Sequence, residues 1–145
     1  MSATYHQQGV RFLYPENWEL AEGDPRDEPR TVMVQSETGA FWSLALYPSD
    51  VNPASLAETA LAALQEEYED LEVEPVSESI GGVPAAGYEV HFYVAQLVAA
   101  ARIRVFERDS SLVLLLCQAE DREFDRLEPV FEAMTVSLLG QHERP

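Results

Sequence analysis

Val10, Phe12 and Tyr14 alternate with Arg11 and Leu13, a period of two that predicts a short half-buried strand. Pro15 ends it, because proline cannot donate to a ladder and holds Tyr14 extended; the chain turns there and brings Trp18 back to the rim of the core. Residues 21–30 combine prolines, a glycine and several acids with no apolar period, which predicts an exposed loop. Residues 31–35 and 40–47 are β-branched, aromatic and apolar, and Ser36-Glu37-Thr38-Gly39 between them has turn chemistry, so the pair predicts a hairpin. Asn52-Pro53 then offers an N-cap followed by proline at the first helical position. Leu56, Ala60, Leu61, Leu64, Tyr68 and Leu71 follow at helical spacing, with Glu58, Gln65, Glu66, Glu69 and Asp70 mainly on the opposite side.

Alternation returns over 71–79, and Gly81-Gly82 marks a turn before an extended run at 86–94. Residues 98–108 and 111–118 form a further hairpin about Asp109-Ser110. Residues 112–117 are continuously apolar, the mark of a central strand covered on both faces. Phe124, Leu127, Phe131 and Met134 place a last helix over 121–135. Pro129 inside it predicts a kink or a break, and a loose tail is expected from Gln141. The order strand, hairpin, helix, strands, helix defines an α+β class. It is an antiparallel sheet of about six or seven strands sandwiched with two main helices, within a single domain of 145 residues.

Composition narrows the function classes. Twenty-six Asp and Glu against nine Arg give a formal net charge of −17, so neither nucleic acid nor an anionic membrane suits the surface. The chain has no lysine, which removes Schiff-base chemistry and a P-loop lysine. No apolar stretch is long enough to span a membrane, and the N-terminus has neither a signal peptide nor a lipid-anchor cysteine. The expected address is the cytoplasm.

The nonapeptide Val10-Arg11-Phe12-Leu13-Tyr14-Pro15-Glu16-Asn17-Trp18, the helix after a hairpin, and a closing helix running into Met134-Thr135-Val136-Ser137 resemble the PsbP/DcrB-like superfamily over most of the chain. That resemblance implies an α/β/α sandwich around an antiparallel sheet. It implies little about mechanism, because its members include extrinsic photosystem II subunits, a Ran-binding import factor, bacterial lipoproteins and chaperones for type VI secretion effectors. Their shared feature is binding another protein without catalysis. Without an export signal, the implied role is a cytoplasmic adaptor or chaperone.

Catalytic and metal motifs are missing from the pattern. Cys117 ends the most apolar run, where a cysteine acts as a small hydrophobe, and His6, His91 and His142 are scattered without metal-ligand spacing. No cofactor is expected. The acids at 58–78, with no arginine among them, are read as a solvated face, the sharper alternative being a docking strip for a basic partner.

One constellation carries a site hypothesis. Arg102 and Arg104 share a strand face, as do Glu89, His91 and Tyr93 on the preceding strand. If the two faces coincide, they form an open polar and aromatic patch suited to a protein partner, since Arg and Tyr are enriched among interface anchors. Cross-strand charge pairing is the plainer reading. The leading expectation is a non-catalytic protein-binding domain, for which a homodimer is compatible. The alternative is a carrier of a small apolar ligand in a pocket between sheet and helix, lined by residues such as Trp18, Trp42 and Phe92. A hydrolase with dispersed carboxylates is the least supported reading.

Overall fold

A computed structural model describes residues 1–24 and 26–140. The N-terminal segment forms a hairpin, β1 (Ser2–Gln7) and β2 (Val10–Pro15), turning on Gln8 and Gly9, both at positive φ. A seven-stranded sheet follows from β3 (Glu19–Glu22), β4 (Arg30–Gln35), β5 (Phe41–Pro48), β6 (Glu72–Ile80), β7 (Val83–Val94), β8 (Leu97–Arg108) and β9 (Ser111–Glu120). Its order is β3-β4-β5-β9-β8-β7-β6, and every neighbouring pair is antiparallel. Helix α1 (Pro53–Glu67) carries the chain from β5 to the far edge at β6, and the meander from β6 to β9 walks back to β5. The α+β sandwich read from the sequence is the fold observed.

This path makes β9 the central strand. Leu112, Leu114 and Leu116 point to the α1 side, while Val113, Leu115 and Cys117 point to the side of α2 (Asp121–Gly140). The continuous apolar run therefore marks the central strand, as expected, buried under α2 on one face and, on the other, buried at Leu112 and partly covered at Leu114 and Leu116. On the α2 side the core joins Phe12, Val34, Trp42, Leu115, Phe131 and Leu138. On the α1 side it joins Leu56, Leu64, Val90, Phe92, Ile103 and Leu112.

Helix α1 starts as predicted, with Asn52 Oδ1 accepting from the Ser55 amide at 3.0 Å and Pro53 in the first turn. It ends where Tyr68 turns extended and stacks on Phe92, ring centroids 4.2 Å apart. Of the kink or break expected at Pro129, the break does not occur, since α2 runs continuously to Gly140. A proline inside a helix costs about 3 kcal/mol. Phe124, Phe131, Met134, Leu138 and Leu139 straddle it and are all buried. Each such burial contributes about 1.5 to 3 kcal/mol, so packing outweighs the proline. The tail expected from Gln141 lies outside the described residues.

Two strands differ from expectation. β1 carries one buried apolar residue, Tyr5, and β3 none, so neither shows the alternation that reveals a strand. β3 takes the start of the segment expected as a loop. At the opposite edge, β6 is exposed along most of its length and bears Glu72, Glu74, Pro75 and Glu78. Charge and proline on an edge strand oppose strand addition by another chain. Part of the acidic run at 58–78 thus has a structural use.

Helix α2 is pinned along its length. Thr38 Oγ1 donates to Glu123 at 2.6 Å, Trp42 Nε1 to Thr135 Oγ1 at 3.0 Å, and the Leu13 amide to Ser137 Oγ at 2.9 Å. Between β7 and β8 there is no room for a side chain at Gly87, where a Cβ would stand 1.9 Å from the Ile103 carbonyl oxygen. That atom is backbone within a ladder and cannot swing aside. Gly87→Ala is expected to destabilise the fold by about 3 kcal/mol or more, read as a lower urea midpoint.

Candidate functional site

The five residues of the expected patch do lie on one sheet face. Glu89 stands opposite Arg102, Gly87 opposite Arg104, His91 opposite Ala100 and Tyr93 opposite Val98. That face is not open, however, because α2 lies over much of it. Arg104 is 2% exposed, and Arg102 is largely covered. Arg102 Nε donates to Glu89 Oε2 at 2.8 Å, and its Nη2 donates to Glu128 Oε2 of α2 at 2.6 Å. Its guanidinium also sits 5.2 Å from the Phe124 ring centroid. Arg104 donates to Glu78 of β6, to Glu89 Oε2 at 2.7 Å and to the Ile103 carbonyl at 3.0 Å. The arginines therefore join sheet to helix and β6 to β8; they are not anchors awaiting a partner.

Burial alone would draw the proton from Arg102, but the hydrogen bonds and charges of Glu89 and Glu128 prevail and raise its pKa above the ordinary arginine value. It is a fixed cation at any working pH. His91 Nε2 lies 3.3 Å from Asp121 Oδ1 at the start of α2, with both side chains partly exposed. Tyr93 is apart from all of this, 67% exposed near the end of the β7–β8 hairpin. The network is thus complete without it. Removing the acidic partners of the buried Arg104 strands a cation and costs about 3 to 5 kcal/mol, whereas replacing the whole group by apolar side chains of similar volume is nearly neutral. Glu78→Leu with Glu89→Leu is therefore expected to lose far more stability than the same two changes combined with Arg104→Met, measured by urea unfolding of the two variants.

A polar space of about 110 Å³ lies beside the arginines, bounded by Glu78, Arg102, Arg104, Glu128 and Thr135. It is well below the roughly 300 Å³ of a small-molecule site. Cys117 lines its base. Burial pushes the thiol up to about 12, with Arg102 and Arg104 pulling it down and Glu89 pushing it further up. Below that pH the sulfur stays protonated and is a poor nucleophile. In the native protein Cys117 is expected to resist an aromatic disulfide reagent at pH 8 and to react at once in guanidinium chloride, followed by thiol release. Among the described residues no group of three or more His, Cys, Asp or Glu side chains is placed to hold a metal.

The aromatic residues expected to line a carrier pocket do not converge. Trp18 and Trp42 pack on the α2 side, Phe92 on the α1 side, and all three are buried in filled core. Space exists elsewhere. Because α1 connects β5 to β6, it packs on β7, β8 and β9 and leaves the same face of β3, β4 and β5 uncovered. Along β9, Leu112 is fully buried under α1, but Leu114 and Leu116 are only partly covered. They form the floor shared by two adjoining hollows of about 460 Å³ each. One reaches Met33 and Ala45 of β4 and β5, and the other is walled by Thr59, Ala60 and Ala63 of α1. The result is an apolar trough bearing charge only at Glu22 and Glu67. No periodicity reveals it, since the same residues would read as core if a second helix covered them.

With this geometry established, comparison places the fold. The chain has a PsbP/DcrB-like fold. Cyanobacterial PsbP (CyanoP) from Synechocystis sp. PCC 6803 superposes with a TM-score of 0.62 at 15% identity, covering 94% of this chain and 90% of that one. A protein of unknown function, PA94, from Pseudomonas aeruginosa gives 0.54 at 12%, covering 99% and 98%. LpqN of Mycobacterium tuberculosis, described as involved in cell envelope biogenesis, gives 0.49 at 14%, covering 92% and 87%. At these identities the likeness is one of fold. No protein-family model and no curated protein matches the chain. No described helix is long and apolar enough to cross a membrane.

Proposed function

We propose that this domain is a non-catalytic protein-binding module, adaptor- or chaperone-like and cytoplasmic, that docks its partner in the apolar trough over β3, β4 and β5. The uncovered half of the α1-side sheet face carries this reading. Apolar sheet surface left in water is unfavourable by about 25 cal/mol per Å², and a contiguous apolar hollow of this kind marks an interaction surface. The plain backbone of the trough, with small residues Ser43, Ala45, Ala60 and Ala63 among its lining, lets another chain approach closely. The net charge of −17 speaks for a protein rather than a nucleic acid. The absence of catalysis is supported by the carboxylates beside the small polar space, Glu78, Glu89 and Glu128, which Arg102 and Arg104 already engage.

A second reading shares the trough. Each hollow is large enough for a small apolar ligand, so a carrier role is favoured by volume, with Met33, Leu114 and Leu116 in place of the buried aromatics. Both readings predict that filling the trough with charge abolishes binding. They differ in what is released. For Ala45→Arg with Ala63→Arg, recovery of a protein partner from source-organism lysate is expected to fall at least about tenfold, scored by mass spectrometry against wild type at unchanged melting temperature. Organic extraction of the captured wild-type domain that yields a small apolar molecule, with no protein partner lost, would instead favour the carrier.

A further inference from the structure

Beyond the body of the sheet, β7 and β8 continue as a two-stranded ribbon. Pairing with β6 stops at His91 opposite Glu72, and pairing with β9 stops at Ala99 opposite Glu120. Residues 93–94 and 97–98 pair, among strands, only with each other. The tip is apolar and exposed: Tyr93 at 67%, Leu97 at 52% and Val94 at 40%. Its turn, Ala95-Gln96, holds both residues in the left-handed region, at φ 49° and 72°. Asn-Gly would fit that turn without strain, whereas a Cβ opposes it. Strained backbone that carries exposed apolar side chains points from geometry toward use.

Charge decides what the tip meets. From residue 92 to residue 98 the chain bears no charge, yet acids flank the base of the ribbon on both sides. Glu69, Asp70 and Glu72 lie along the entry to β6, and Glu120 and Asp121 along the exit from β9; Arg122, 3.8 Å from Glu120, and His91, 3.3 Å from Asp121, are basic groups beside them. This collar opposes an anionic lipid surface, and it opposes a second copy of the chain, which would bring the same acids. We infer that the β7–β8 ribbon is a docking anchor that inserts Tyr93, Val94 and Leu97 into an apolar pocket rimmed by arginine or lysine on a partner protein. The anchor rests on the reading of this domain as a protein-binding module, but not on the trough, whose lining includes none of Tyr93, Val94 and Leu97. Tyrosine suits the role because it buries a large rigid area and keeps a polar tip.

The test is photo-crosslinking in the source cells, with p-benzoylphenylalanine placed at Gln96 on the tip or at Ala63 in the trough, and adducts mapped by mass spectrometry. The expected result is a protein adduct from position 96 at a surface whose apolar residues are flanked by Arg or Lys. Its yield should fall about tenfold with Tyr93→Ser and Leu97→Ser together. It should fall about threefold or more with Glu69→Lys and Glu72→Lys, or in high salt. All four positions are exposed, so melting temperatures should match wild type. An adduct with lipid, with another copy of the chain or with an acidic surface overturns the inference, as does a yield indifferent to charge reversal. An adduct from position 63 without one from 96 removes the anchor and leaves the protein-binding reading standing. Blanks from both positions remove the two together.

Discussion

The connection from β5 through α1 to β6 constrains everything else in this domain. By delivering the chain to the far edge, it obliges the meander β6 to β9 to return toward β5, and β9 becomes the centre of a seven-stranded sheet. A central strand must be apolar on both faces, which the run Leu112 to Cys117 supplies. The same connection decides where α1 lies, over β7, β8 and β9, and therefore which strands it cannot cover. The trough is a consequence of topology before it is a feature of side chains.

On the other face, polar chemistry performs a structural task. Arg102 and Arg104 point into the layer between sheet and α2, where an uncompensated cation would be costly. Glu89 answers both, Glu78 reaches in from the edge strand, and Glu128 comes from the helix. Each carboxylate belongs to a different element, so the pairing is satisfied only when β6, β7, β8 and α2 are all in place. Apolar burial could hold these layers together but would tolerate sliding; a network of directed hydrogen bonds sets their register. Gly87 belongs to the same arrangement, since its lack of a side chain lets the β8 backbone approach at the level of Arg104.

Period-two alternation, a continuous apolar run and turn residues were enough to find the hairpin at β4 and β5, the strands from β6 to β9 and the cap of α1: β4, β5 and β7 bury one face, β8 and β9 pack on both, and β6, though exposed along most of its length, alternates in sequence ahead of the Gly81-Gly82 turn. β1 and β3 bury almost nothing and so left no pattern. The unbroken α2 was illegible for a different reason: the cost of Pro129 is local, but the burial that exceeds it depends on strands far away in sequence. Site residues divide in the same manner. That Glu89 and Arg102 share a face follows from strand spacing, but the helix above them does not, and the meaning of an arginine reverses with cover. Tyr93 kept its exposure only because the ribbon outruns its neighbours, a matter of relative strand length that no single strand records.

The acidic charge acquires sense beside the two apolar surfaces. A trough and a ribbon tip left in water are a liability, since a second copy of the chain could bury either. A body carrying a net charge of −17 repels its own kind at the distances over which such encounters begin, and the acids and Pro75 of β6 guard the exposed edge of the seven-stranded sheet that this strand forms. Repulsion between copies is general, whereas attraction is selective. A partner with basic residues around an apolar patch turns the same field into steering, so the feature that keeps these surfaces from self-association also chooses what may cover them.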